Sequence, residues 1–234
     1  MLWLRFIILI FIYLYYIKKY LFSENMVVEP VDFYQMPPED ILKYLPGKNC
    51  GGCGKDSCED FAGALSKGEA KITECPEIGL KLKKSLEGGL SIRLVVHEAD
   101  FSMSTVSESI IPVNKPTRDS PVLLTGNCEV TLYVLRLIFE KAPDVSAWII
   151  PSDTKGFTID HVMTMKVMTP MTVMRALTDS GISQKVDSRV MIIPGLCEGL
   201  ERNIEVMTKW KVIVGPKSGF ELPAFLTQLA NTDD

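Results

Sequence analysis

From residue 121 onward, short unbroken apolar runs alternate with longer stretches in which apolar residues recur at helical spacing. The runs at 122–125, 147–150, 190–193 and 212–214 are apolar but for Thr125 and end at Gly or Pro, the pattern of strands buried on both faces of a parallel sheet. Between and after them, the spacing predicts helices over 129–140, 159–165, 172–180, 199–208 and 220–230. This alternation predicts an α/β domain over 120–234, doubly wound, mostly parallel and Rossmann-like. Each strand runs into a punctuated turn, at 125–127, 151–156, 194–195 and 215–219. Open parallel sheets bind ligands beyond the C-terminal ends of their strands. Thr125, Asn127, Asp153, Thr154, Gly156, Pro194, Gly195, Gly215 and Pro216 are therefore the candidate shelf, offering hydroxyl, amide and backbone groups to a large ligand. Left-handed glycines and proline stops, which any α/β chain needs, explain the same turns without a ligand.

Upstream the pattern changes. Residues 27–87 read as one small helical module: Pro37 and Pro38 open a short helix ending at 45, a Gly-rich loop follows, and a second helix opens at Asp56 with Glu59 three residues on. Over 88–119 the periodicity fades into a connection, with a strand at 92–96 as its one regular candidate. Residues 2–17 are almost continuously apolar and end at Lys18 and Lys19. They read either as a short membrane anchor, which would leave the body on the cytoplasmic face, or as a misassigned start ahead of Met26.

At 234 residues and 47% hydrophobic, the chain can bury the core of one small and one medium domain. Its net charge of −4 and lack of a basic aromatic stripe exclude nucleic acid as a partner. No Gly-x-Gly-x-x-Gly follows a strand and no Walker loop occurs, which removes the usual support for dinucleotide or ATP binding. With only two histidines, and no Ser/His/Asp set or paired carboxylates, hydrolytic chemistry has no candidates.

Cysteine spacing changes the picture. Cys50, Cys53 and Cys58 form a C-x2-C-x4-C run, closed by a distant Cys75 followed by Pro76. Such a loop can turn three thiolates toward one point, with Gly51, Gly52 and Gly54 letting the backbone approach the sulfurs, and a fourth thiolate completes the set for a 4Fe-4S cluster. Zinc prefers two separated ligand pairs, and a disulfide needs an oxidising compartment; both stay open as alternatives. Apolar surroundings mark Cys128 and Cys197 as buried inert thiols. His97 has no motif context.

Both modules resemble the large (gamma) subunit family of the corrinoid iron–sulfur proteins in acetyl-CoA synthase/decarbonylase systems. The likeness lies in KNCGGCG (48–54), CEDFA (58–62) and ECP (74–76) of the first module. In the second it lies in SPVLLTGN (120–127), SDTKG (152–156), IIPGL (192–196) and VGPK (214–217). The resemblance implies a corrinoid (a cobamide, with its base off the cobalt) on the C-terminal domain. It also implies a cluster that returns inactive Co(II) to Co(I). That family carries a large TIM barrel between the modules, where this chain has only the connection from about 87 to 120, so a stand-alone or accessory role is the expectation. In this family and the related corrinoid protein of mercury methylation, a short cap helix lies beneath the cobalt, and the mercury protein presents a Cys there. In register that position is His161, which the resemblance makes a candidate lower axial ligand; a helix-surface histidine is the alternative. Asp160 is expected to face elsewhere on that helix. Met163, Met165, Met168, Met171 and Met174 are candidates to line the macrocycle, with core filling as the alternative for all five and the reading taken for Met171 and Met174.

The function expected from this resemblance is a methyl carrier of one-carbon metabolism. Its partners would be a methyltransferase or another corrinoid protein and a low-potential electron donor. The alternatives are a 4Fe-4S electron-transfer accessory without its own corrinoid, and a membrane-tethered interaction module with a structural cluster.

Overall fold

The computed structural model describes residues 35–92, 104–164 and 166–232. Among them five strands form one mixed sheet: β1 (Ile111–Val113), β2 (Val122–Gly126), β3 (Ala147–Ser152), β4 (Val190–Ile193) and β5 (Lys211–Val214), in the order β1-β3-β2-β4-β5. β2 runs parallel to both β3 and β4, β4 runs parallel to β5, and only β1 is antiparallel, against β3. The chain moves from β2 outward to β3, then crosses back to β4 on the other side. The sheet therefore changes winding direction between β2 and β4, the place where open α/β sheets part their loops and leave a crevice.

Side-chain alternation assigns the two faces. Leu123, Ile149 and Ile192 point into one core, while Val122, Leu124, Ile150, Met191 and Ile193 point into the other. α4 (Glu129–Glu140) and α8 (Leu222–Thr232) cover the first face. α5 (Ile159–Thr164), α6 (Pro170–Ser180) and α7 (Glu201–Thr208) supply the second. This is the doubly wound, mostly parallel arrangement that the apolar runs predict.

The N-terminal part of the described chain is helical: α1 (Pro38–Leu42), α2 (Cys58–Lys67) and α3 (Leu80–Leu90). α1 is shorter than expected, and α2 opens at Cys58 rather than Asp56, because the Ser57 hydroxyl caps it by accepting from the Asp60 N–H at 3.0 Å. α6 opens two residues earlier than expected, at Pro170, where Thr169 and Thr172 form a reciprocal capping box.

α3 runs straight through Gly88 and Gly89, where the sequence reads as the start of a connection. A Cβ on Gly88 would lie 2.8 Å from the Lys141 carbonyl oxygen, and one on Gly89 would lie 2.6 Å from that of Phe220. These glycines let α3 press against the sheet-bearing domain. α3 packs on α8, and the Ser85 and Thr227 hydroxyls meet there at 2.7 Å. One hydrophobic core in consequence runs from Phe61, Cys58 and Cys75 through Leu86 to Phe139 and Ile149.

β1 also falls within the segment expected as connection. Pro112 masks its alternation, but an edge strand tolerates proline. The expected strand at 92–96 lies outside the described residues except for Ile92, and the apolar segment 2–17, Met165 and His97 lie wholly outside them. Among the described residues no helix is long and apolar enough to cross a membrane.

Candidate cofactor sites

The cysteine loop is shaped by backbone that few residues adopt. Gly51 and Gly54 sit at φ 71° and 77°, Asn49 takes φ 49°, and the Gly54 N–H closes a turn on the Gly51 carbonyl at 2.9 Å. The Asn49 Oδ1 accepts from the Cys58 N–H at 2.7 Å, tying the start of the loop to the first turn of α2. Gly52 has a different role: a Cβ there would lie 2.8 Å from the Pro76 ring. The loop carrying Cys50 and Cys53 thus rests directly on the segment carrying Cys75. A Lys48–Glu77 ion pair joins the same two segments, and the Glu77 carboxylate, aided by Cys50 and Cys75, holds the Lys48 ammonium above its usual range.

Cys58 and Cys75 are buried in the core, Cys53 is half-buried against it and Cys50 is exposed. Among the described residues no group of three or more Cys, His, Asp or Glu side chains is positioned to hold a metal ion. The fold brings the ligand-bearing segments into contact without converging their side chains. The donor chemistry nevertheless fits a cluster: four thiols, no histidine, on two touching segments at the edge of an apolar core. Cys128 and Cys197 are 2% and 0% exposed, and burial pushes the Cys197 thiol up to about 11, as inert thiols require.

The second site lies at the switch point. A cavity of about 480 Å³ opens at the C-terminal ends of β2 and β4, within the range of small-molecule sites. Leu123 and Ile192 line it from the sheet, Val134 and Leu135 from α4, and Lys217 to Phe220 from the turn after β5. Of the nine predicted shelf residues, Thr125, Pro194 and Pro216 face this cavity.

The other six do not line it. Gly195 and Gly215 let the turns after β4 and β5 touch: a Cβ on Gly195 would lie 2.6 Å from the Gly215 carbonyl, and the Gly195 N–H donates to Pro216 O at 2.9 Å. Asn127 organises the turn after β3. Its Oδ1 accepts from the Thr154 N–H, the Thr154 hydroxyl and the Gly156 N–H at 3.0, 3.1 and 3.3 Å. Thr154 is fully buried, and its hydroxyl is spent on Asn127 and the Phe157 carbonyl. Asp153 is exposed and accepts from the Lys155 N–H. Asn127→Ala should therefore cost about 1–3 kcal/mol, as three donors lose one acceptor. Amide hydrogen exchange should rise at 153–157 and stay unchanged in the cysteine loop.

α5 caps the same edge. Thr158, Ile159 and Asp160 line the cavity, whereas His161 is not among its walls and its side chain is 66% exposed. Contrary to expectation, Asp160 does reach the imidazole: its Oδ2 and the Thr158 hydroxyl both lie 3.1 Å from His161 Nδ1. In the first turn of so short a helix, neighbouring side chains can curl together. This contact leaves Nε2 as the nitrogen a metal would use. Met171 and Met174, expected in the core, are 49% and 42% exposed, because α6 buries Val173, Ala176 and Leu177 instead. Sequence reasoning missed the α4 wall, where Val130, Thr131 and Val134 face the cavity. Their i, i+4 spacing is visible, but it also suits ordinary core packing.

Two stretches of the sequence have counterparts among known proteins. The family model described as CO dehydrogenase/acetyl-CoA synthase delta subunit matches residues 91–226, more than half of the chain, and the chain belongs to this family. The model "Putative Fe-S cluster" matches residues 45–77, which hold all four predicted ligands. Among curated proteins, the chain is 34% identical over 142 residues to the acetyl-CoA decarbonylase/synthase complex subunit gamma of Methanothermobacter thermautotrophicus, covering 61% of this chain and 31% of that protein. It is 31% identical over 137 residues to the subunit gamma of Methanopyrus kandleri, covering 58% of this chain and 29% of that protein. The chain thus spans about three-tenths of the length of the curated relatives it matches. The likeness to gamma subunits read from the motifs agrees with these matches.

Proposed function

We propose that the chain is a methyl carrier of one-carbon metabolism that holds a 4Fe-4S cluster on Cys50, Cys53, Cys58 and Cys75 and a corrinoid over the switch-point edge. The observation that carries this reading is the shared core: the cysteine segments and the sheet that floors the cavity pack into one hydrophobic cluster, a fixed mounting for two cofactors. When bound, the corrinoid supplies nucleophilic cobalt and the cluster supplies the single electron that restores it. The chain's own part is placement. Thr125, Pro194 and Pro216 receive the portion of the ligand that enters, Asn127 holds the turn over which the rest lies, and Gly195 and Gly215 fix the rim. His161, oriented through Nδ1 by Asp160 and Thr158, would offer Nε2 to the cobalt. Partners in this reading are a methyltransferase or a corrinoid protein and a low-potential electron donor.

The place of His161, exposed and not among the cavity walls, suits one rival. An accessory that delivers electrons to another corrinoid protein needs no ring at all. Paramagnetic resonance of protein loaded with cluster and Co(II) corrinoid separates the two. The carrier reading expects the cobalt signal to vanish on addition of a low-potential donor and to persist when the cluster has been stripped. Equal persistence with and without the cluster contradicts it. His161→Ala should remove nitrogen hyperfine splitting from that signal, and unchanged splitting rules out the ligand role.

A further inference from the structure

A buried acid sits where the cysteine module meets the wall of the cavity. Glu221 is 1% exposed, directly between Phe220 and Leu222, both of which line the cavity. Its Oε2 meets the Tyr44 hydroxyl at 3.1 Å, and its Oε1 has no hydrogen-bond partner. Tyr44, 5% exposed, follows α1, so this contact joins the cysteine module to the turn that walls the cavity.

An ionised carboxylate here would be poorly compensated. Among the described residues Lys43 is the one cation that reaches it, at 3.4 Å, but Lys43 is 53% exposed and lies closer, at 2.6 Å, to Asp40. Asp40, on α1, adds a second negative charge. Of the other described elements packed here, Gly89 of α3 abuts the Phe220 carbonyl, and the apolar Leu135 and Ile138 of α4 abut Gly219. A buried carboxylate with an empty lone-pair site and a preoccupied cation is costly, whereas a neutral acid in the same place can share its proton with a hydroxyl.

We infer that Glu221 holds a proton in the resting protein and that its ionisation loosens the seam between the cysteine module and the cavity wall, making this contact a pH-sensitive latch. Burial, then the Asp40 charge, raises the Glu221 pKa above the usual glutamate range, in agreement with the geometry. The sign follows. A folded state that keeps the proton to higher pH than the unfolded chain is favoured on the acid side. That advantage is lost as pH rises from the ordinary glutamate value through the raised one. The latch depends on neither cofactor.

Denaturant unfolding of the full chain, wild type and Glu221→Gln, from about pH 5 to about pH 8 tests this; the window starts just above the ordinary glutamate value. Glutamine stays neutral and can still accept from Tyr44. The wild type should lose stability relative to the variant as pH rises. In the wild type alone, exchange corrected for intrinsic rates should accelerate at 36–45 and 218–222. Parallel stability curves, a wild type that gains on the variant, or acceleration spread over the whole chain would overturn the inference. Should the variant not fold, carbon-13 titration of glutamate-labelled wild type decides. One carboxyl titrating above the rest supports the latch, and all titrating together contradicts it.

Discussion

Cys75→Ser should strip the chain of its cluster: iron in anaerobic preparations falls from about four per chain to well below one. Cys75 is 4% exposed and is the single predicted ligand on the second segment, so no neighbouring thiol can replace it. Pro76, stacked on Gly52, fixes where that thiol stands. The loss is structural as well as chemical. Between α1 and α2 the loop has few side chains of its own in the core, and its shape depends on left-handed backbone at Asn49, Gly51 and Gly54. Without a cluster, residues 45–77 should become sensitive to protease. Cys128→Ser should leave the iron count unchanged. Anaerobic iron and sulfide analysis of both variants checks the pair, and a Cys75→Ser protein with full iron would reassign the fourth ligand.

Leu86→Ala should cost about 2–5 kcal/mol, the range for large-to-small changes in a close-packed core. Leu86 is fully buried on α3, the helix that joins the cysteine segments to α8 and α4. Because one core spans both parts, the variant should unfold in a single transition at lower denaturant, not shed one part first. Two probes follow this. Cluster absorbance reports the cysteine segments, and in a Trp3→Phe background the fluorescence of Trp148 and Trp210 reports the sheet domain. Coincident curves support a shared core. Cluster absorbance lost ahead of fluorescence would show the cysteine module melting independently.

The sheet was legible because strands of a parallel sheet leave short apolar runs: 122–125, 147–150, 190–193 and 212–214 each fall within an observed strand, even at the half-buried edge strand β5. Helix spacing did as well at Glu129–Glu140. Where reading by pattern failed, a distant contact had decided the local structure. Gly88 and Gly89 look like a helix stop, yet they permit α3 to press on the carbonyls of Lys141 and Phe220, residues far along the chain. Met171 and Met174 share a helical face, but spacing alone cannot say which face meets the sheet. The cysteine set was visible as a spacing, and the "Putative Fe-S cluster" match over 45–77 agrees with it. Of the shelf, the turns were visible but their division of labour was not. A glycine that lets two backbones touch and one that approaches a ligand read alike in sequence. Glu221 gave no signal, because its partner Tyr44 lies 177 positions away.

The central claim is that one chain mounts both an iron–sulfur cluster and a corrinoid. Counting iron, sulfide and cobalt in a single anaerobic preparation, reconstituted with both cofactors and freed of excess, tests it most directly. The account predicts about four iron, about four sulfide and about one cobalt per chain. Full iron and sulfide with cobalt absent would contradict it and leave an electron-transfer accessory in its place.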